Sequence, residues 1–396
     1  MRPIQIADES PASRRRVLVL FDPLLILAAL GLVACSLVTL KGATSGAFKG
    51  HPLYYVERQA IYAGIGIVLA LLLSQIDYSR LREYKYGLYG LLIASNVLVF
   101  AVGSSALGAQ RRFNFPFFQV QPSEFGKVLL IVSLAAFAVD RSRRLHERAT
   151  TARIMLLTLI AALLVIAQPD LGTGLVYVAV GFTVLLVAGT SWKQLTALLG
   201  MFAAAVAIAL AGAPALGVHV LQGYQKQRIT AFLHPSSNPR KCLPCYQVDQ
   251  SLIAVGSGQK AGRGVAHATQ TTLGYLPENG TDFIFSAVGE TYGFAGAALV
   301  LSLYALLFWR TLRVVTLAKN LYGTLIAGGI LALLMFQMFV NVGVTLGIMP
   351  VTGVPLPLMS YGGSSVLVTF LAIGLLQSIH IQARVADAAK GRVLIS

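Results

Sequence analysis

Charge is what this sequence has least of. Asp, Glu, Lys and Arg make up 12% of its 396 residues, where soluble domains carry roughly 25%. Acids are the scarcer half, 15 against 31 Lys and Arg. Three cysteines are too few for a disulfide-rich scaffold. Six histidines are scattered without an HExxH pattern, which argues against a zinc site. The glycine-rich "GSGQKAGRG" at 256–264 is neither GxGxxG nor a Walker-type loop, and it follows no buried strand. Nucleotide binding is therefore rejected. No internal repeat is evident, which disfavours inverted-repeat transporters.

What the chain has is apolar length. It is 56% hydrophobic with a mean hydropathy of +0.73. This predicts an all-α polytopic membrane protein, since a helix crosses with about 20 apolar residues and satisfies its own backbone in lipid. About ten transmembrane helices are expected, at roughly 17–40, 59–76, 86–103, 123–139, 154–167, 171–189, 195–221, 283–308, 321–346 and 362–383. A long, largely polar outer loop, 222–281, separates spans seven and eight. Loops of this length are usually functional or disordered. Amphipathic pieces such as "QVDQSLIAVG" predict partial order here.

The net charge of +16 could suggest nucleic acid, but its placement argues against that. Arg14, Arg15 and Arg16, then Arg80, Arg82 and Lys85, then Arg141, Arg143, Arg144, Arg148 and Arg153 fall on one side of the predicted spans. Arg310, Arg313 and Lys319 are placed in a loop on that side, with Arg384, Lys390 and Arg392 in the tail. That side is cytoplasmic by the positive-inside rule, facing anionic lipid headgroups. A single membrane domain follows, with a cytoplasmic N-terminal tail at 1–16 and a cytoplasmic C-terminal tail at 384–396. No cleavable signal peptide is evident, so the first span is expected to stay as an anchor. Cys242 and Cys245, in "CLPC", fall in the outer loop, where a disulfide or a free pair is favoured over a metal or redox site.

Several polar groups interrupt the apolar pattern. Glu124 and Lys127, in "QPSEFGK", share one helix face. They form either a structural ion pair, with Ser123 as the helix cap, or a charged lining for a lipid-headgroup cavity. Arg111 and Arg112 lie on the outer side, either snorkelling or clamping phosphate. Asp170 in "QPDLGTG" suits a helix cap. Glu290 is expected to face the interior, paired. Asp282 follows "GYLPENGT"; with Thr281 as cap it would occupy the first turn of the eighth helix and complement its dipole. Glu278 precedes it by four residues. The stretch "MPVTGVPLPLMSYGGSS" at 349–365 survives at membrane depth only if buried or lining a cavity.

Seven motifs in one order resemble the SEDS family (shape, elongation, division and sporulation), whose members include RodA and FtsW. They are "QRRF…QPSEFGK", "QPDLGTG", "YQKQRITAFLHP", "QSLIAVGSG", "TLGYLPENGTDFIF", "GETYGFAG" and "PVTGVPLPLMSYGGSS". "HATQTTLGYLPE", the approach "PFFQVQPSE" and the short tail look more like RodA than FtsW. The resemblance implies a peptidoglycan glycosyltransferase of the bacterial cytoplasmic membrane. Such enzymes polymerise lipid II on the outer face during elongation, with a class B penicillin-binding protein as transpeptidase partner. The family's essential acid maps to Asp282, its cavity ion pair to Glu124 and Lys127, and its Arg to Arg111 or Arg112. Where the family often has His before the Thr-Asp-Phe and Trp after the Arg pair, this chain has Asn279-Gly280 and Phe113.

The implied reaction needs positive charge on a leaving pyrophosphate. Arg111, Arg112, Lys127, Arg228 or a divalent cation (Mg or Mn) are the candidates. It also benefits from a base on the acceptor hydroxyl. Asp282 is expected to be that base or a metal ligand, with a helix N-terminus lowering its pKa. A lipid-linked precursor flippase, an FtsW-like division polymerase and a non-catalytic scaffold are the competing readings.

Overall fold

A computed structural model describes residues 21–44, 51, 53–102, 104–106, 109–114, 119–208, 227, 228, 231, 232 and 242–393. Among the described residues, ten helices overlap the ten expected spans, the seventh only over the first part of its range. They are α1 (Pro23–Ala43), α2 (Tyr54–Ser74), α3 (Lys85–Val102), α4 (Pro122–Asp140), α5 (Arg148–Ala167), α6 (Leu171–Val187), α7 (Trp192–Ala207), α10 (Ile284–Leu317), α11 (Leu321–Thr345) and α12 (Gly363–Val393). Two further helices, α8 (Leu243–Ser257) and α9 (Thr269–Thr272), lie between α7 and α10. Among the described residues, seven helices are long and apolar enough to cross a membrane; α3, α6 and α7 are the shorter ones. The expected tail Arg14–Arg16 and residues 209–226 lie outside the described residues.

Helix starts follow local chemistry. Asp22 caps α1, accepting from Leu24 N and Leu25 N at 3.2 Å each, ahead of Pro23 at the first position. Asp170 caps α6, accepting from Thr173 N at 3.1 Å. Asn320 caps α11, accepting from Gly323 N at 2.8 Å. Two expected caps fail. The residue before α4 is Gln121, and Ser123 sits inside the helix, accepting from Gln121 Nε2. Pro122 opens the helix at its first position, which moves the cap position back to Gln121. Thr281 does not cap α10; its Oγ1 donates to Glu278 Oε2 at 2.6 Å, and the helix begins only after Phe283.

The helices pack as neighbours in space: α2 on α12, α1 on α10, α3 on α4, and α6 on both α5 and α11. One core runs through them, from Leu25 in α1 to Ile379 in α12. The all-α expectation needs one addition. Residues between α3 and α4 form a small antiparallel sheet, β1 (Ser104–Ala106), β2 (Ala109–Asn114) and β3 (Gln119–Val120), in the order β1-β2-β3. β1 and β3 are too short to show a two-residue alternation in sequence, and the six residues of β2, AQRRFN, do not alternate.

The eighth span is longer than predicted and broken. Gly293 takes φ 64 and ψ −157 inside α10, a conformation open to glycine. The freed backbone is met by 258–264. Arg263 N donates to Glu290 O at 2.9 Å, and Gly264 N to Thr291 O at 3.0 Å. In return Phe294 N donates to Gln259 O at 2.9 Å. A β-carbon on Gly258 would stand 1.9 Å from Gly289 O. "GSGQKAGRG" is thus glycine-rich because two backbones meet there. The Glu290 carboxylate is fully buried and is paired with amides rather than a cation. It accepts from Gln270 N and Thr271 N at 2.9 Å each, at the start of α9.

Arg310 and Arg313 lie within α10 rather than in a loop. Arg310 is buried against Asp22, donating from Nε and Nη2 to its carboxylate at 2.8 and 2.6 Å. Likewise α12 runs to Val393, through most of the expected C-terminal tail. In both cases the apolar stripe ended before the helix did.

Candidate active site

The site is built on the turn 278–283 that leads into α10. Three successive carbonyls of this turn are held by the irregular segment 349–362 and α11. Gly280 O accepts from Tyr361 N at 2.8 Å. Thr281 O accepts from Ser360 Oγ at 2.5 Å. Asp282 O accepts from Asn341 Nδ2 at 2.9 Å. The same Nδ2 donates to Val354 O at 2.9 Å, so one amide ties the turn to the segment. Glu278 takes φ 58 where the turn reverses, an uncommon conformation for a residue with a side chain.

The segment itself is held from all sides, as an unwound stretch at membrane depth requires. Ser36 Oγ donates to Met359 O at 2.6 Å, and Gln59 Nε2 to Ser360 O at 3.1 Å. Leu356, Leu358 and Met359 are fully buried. The start of α6 abuts it, since a β-carbon on Gly172 would stand 2.7 Å from Thr352 O.

With its backbone fixed, Asp282 presents its carboxylate toward Arg228. Gly353 lies between them, with φ +74: a β-carbon there would be 3.3 Å from Arg228 Nη1 and 3.6 Å from Asp282 Oδ2. Asp282 is half-buried. Burial first, then the charge of Glu278, pushes its carboxyl up to about 6; Arg228 and Arg112 pull it down, and Asp170 pushes it up. This reverses the expected dipole-lowered pKa. Asp282 precedes the helix instead of lying in its first turn, so desolvation and like charge decide the sign.

The structure therefore brings Asp282, Arg228, Glu278 and Arg112 into one electrostatic neighbourhood. Arg112 is exposed on β2 and donates from Nη1 to Gln119 Oε1 at 3.3 Å. Arg111 lies on the same strand, but its side chain falls outside the described residues. Glu124 and Lys127 form the expected ion pair at the start of α4, with Lys127 only 1% exposed. Gln121, which precedes α4, donates from Nε2 to Ser123 Oγ at 3.1 Å and to Asp170 Oδ2 at 3.0 Å. Cys242 and Cys245 are disulfide-bonded at the start of α8.

Among the described residues no three His, Cys, Asp or Glu side chains gather. Asp282 and Glu278 are two neighbouring carboxylates. That donor set fits Mg or Mn only where substrate phosphates complete the shell.

A family model described as cell cycle protein, covering FtsW, RodA and SpoVE, matches residues 17–385. The chain belongs to this family. The peptidoglycan glycosyltransferase MrdB of Escherichia coli strain K12 is 36% identical over 359 residues, covering 91% of this chain and 93% of MrdB. A probable peptidoglycan glycosyltransferase FtsW of Thioalkalivibrio sulfidiphilus is 37% identical over 368 residues, covering 90% of this chain and 88% of that protein. A chain solved in a study of structural coordination of polymerization and crosslinking by a peptidoglycan synthase complex has TM-score 0.77 and 32% identity. It covers 92% of this chain and 98% of its own.

Sequence reasoning on this FtsW/RodA/SpoVE chain found Asp282 and its charged neighbours. It missed Asn341, Ser360 and Gly353, which position them. Asn341 lies in "MFVNVGVT" with no flanking polar pattern. Its one signal was an amide at a buried helix position, where a side chain needs a partner.

Proposed function

We propose that this chain is a peptidoglycan glycosyltransferase that polymerises lipid II at the outer face of the bacterial cytoplasmic membrane, in cell elongation. The single observation that carries the reading is Asp282, a carboxyl poised at about 6 between Arg228 and Glu278. A general base works best with a pKa near the working pH. In this reading an acceptor sugar hydroxyl attacks the anomeric carbon of the donor. Asp282 takes the hydroxyl proton, and the bond to the lipid pyrophosphate breaks with inversion. Arg228 and Arg112 stabilise the negative charge that develops on the departing pyrophosphate. In the alternative role, Asp282 and Glu278 would hold a divalent cation entering with that pyrophosphate, which would supply Lewis-acid stabilisation, and Asp282 would then be a ligand instead of the base. Backbone pinning of the 280–282 carbonyls supplies the preorganised geometry.

Family membership and the named relatives support the activity, and the likeness to a synthase-complex chain supports a transpeptidase partner of the class B penicillin-binding type. Both termini would then be cytoplasmic, with Asp282 outside.

The test is elongation of purified lipid II by the chain with its transpeptidase partner. Asp282→Ala and Asp282→Asn should abolish glycan product while the complex still assembles. Normal product from either variant would remove Asp282 from the chemistry. Lipid II translocation in proteoliposomes without polymerisation would instead favour the flippase.

A further inference from the structure

A cavity lies at the end of α1 remote from Asp282. α1 begins beside it, and the Ala43 carbonyl at the far end of α1 accepts from Asn279 next to Asp282. Twenty-one helical residues separate the two ends, about 30 Å at 1.5 Å each and the thickness of a bilayer core. The cavity has about 600 Å³ and is lined by Arg310, Arg313, Arg384, His380 and Asp22, with Leu71 and Ile26 on its apolar wall. It therefore carries three guanidiniums against one carboxylate. That carboxylate is already engaged: Arg310 Nε and Nη2 grip Asp22, and Gln377 holds the Asp22 backbone N–H at 2.9 Å. Among the described residues the Arg313 and Arg384 side chains, both exposed, have no acidic partner. His380 is 5% exposed, lines the cavity, and its Nδ1 has no hydrogen-bond partner among them. A buried polar atom without a partner calls for an occupant or a water.

The cavity does not end at the charged groups. Ile26 and Leu71 also line a narrower groove of about 70 Å³, which continues between α1, α2 and α12 past Ile67, Phe370 and Ile373. Its lining side chains are otherwise apolar apart from Gln377. A cationic compartment opening into an apolar groove has the two-part chemistry of one ligand class. We propose that this recess binds an anionic phospholipid, with its phosphate at Arg313 and Arg384 and an acyl chain along Ile26 and Leu71. Arg is suited to phosphate through its fork of donors. The site lies at the membrane face away from Asp282, so its occupant is distinct from the substrate proposed above.

Trp309 offers a reporter, because its ring centroid lies 5.5 Å from the Arg310 guanidinium carbon. With two tryptophans in the chain, Trp192→Phe leaves it alone. Full-length protein in phosphatidylcholine vesicles is titrated with brominated phosphatidylglycerol or brominated phosphatidylcholine. The relative affinity is read from quenching of Trp309. Phosphatidylglycerol should be preferred by roughly tenfold, and Arg313→Gln with Arg384→Gln should remove that preference. Leu71→Phe keeps every charge and narrows the groove; it should also reduce the preference. Arg143→Gln with Arg144→Gln, basic residues elsewhere, should leave it unchanged. The proposal is overturned by equal quenching from both lipids. It is also overturned if Leu71→Phe retains full preference, which means surface charge alone, or if the Arg143 and Arg144 variant loses as much. Displacement of the lipid by millimolar glycerol phosphate would show a soluble phosphate-ester site instead.

Discussion

The Asn341 side-chain nitrogen donates to the Asp282 carbonyl at 2.9 Å and to the Val354 carbonyl at 2.9 Å. One amide near the C-terminal end of α11 thus fixes the backbone of the acid and the unwound segment opposite it. Asn341→Ala leaves two buried carbonyls without their donor and frees the turn. Polymerisation rate should fall about 10–100-fold with KM little changed, because orientation rather than binding is lost. Steady-state kinetics on lipid II would show this. A proportional rise in KM at constant rate would argue for a binding role instead.

Protonation should set the acid limb of activity. With Asp282 near 6, turnover by a general base should rise through about pH 6 and level off above it. Glu278 is the largest charge holding that value up. Glu278→Gln should therefore shift the limb to lower pH. A pH–rate profile that does not move, or moves upward, would contradict the assignment.

The same shift is a stability statement. The folded pKa lies above the ordinary 3.8, so the fold prefers the neutral carboxyl. Its contribution is full below about pH 3.8 and lost as pH rises through about 6. Asp282→Asn stays neutral throughout. Above pH 6 it should exceed the parent in stability by about 1–3 kcal/mol, the range discounted for partial solvent access. The two should converge near pH 4. Thermal unfolding in detergent across pH would report the difference, in a variant expected to be inactive.

Lys127 and Glu124 are buried together. Lys127→Met leaves an uncompensated carboxylate and should cost about 3–5 kcal/mol, while Lys127→Met with Glu124→Gln should cost much less. Denaturation of the single and double variants separates the pair from its parts. Equal losses in both would mean that packing, not charge, dominates.

Gly353 sits at φ +74 between Arg228 and Asp282. Gly353→Ala forces a strained backbone and places a β-carbon against both groups. A loss of activity larger than the loss of stability is expected. A methyl group there stands 3.3 Å from Arg228 Nη1 and 3.6 Å from Asp282 Oδ2 and crowds both groups.

Much of this was legible in the sequence. The apolar helices were readable because a helix in lipid needs an uninterrupted apolar run, and composition alone exposes such runs. The ion pair of Glu124 and Lys127 followed from a three-residue spacing on one helix. Asp282 stood out as an acid at the edge of an apolar stretch in a chain with few acids. The charged groups could be identified locally because each is costly in its setting.

What failed were statements that depended on distant partners. The sequence pattern places Arg310 in a loop. It is a buried helical residue because Asp22, 288 positions away, neutralises it. Thr281 had the chemistry of a cap, yet Glu278 claims its hydroxyl. Asp282 was expected to be lowered by a helix dipole and is raised, because the segment at 349–362 and Glu278 enclose it. The sequence by itself determined the helices, their order and the supply of charged side chains. Tertiary structure decided which of those charges meet, and so the protonation of Asp282. Hydrophobic length is a local property, whereas a carboxyl's pKa is the sum of desolvation and charges contributed by residues far apart in the chain.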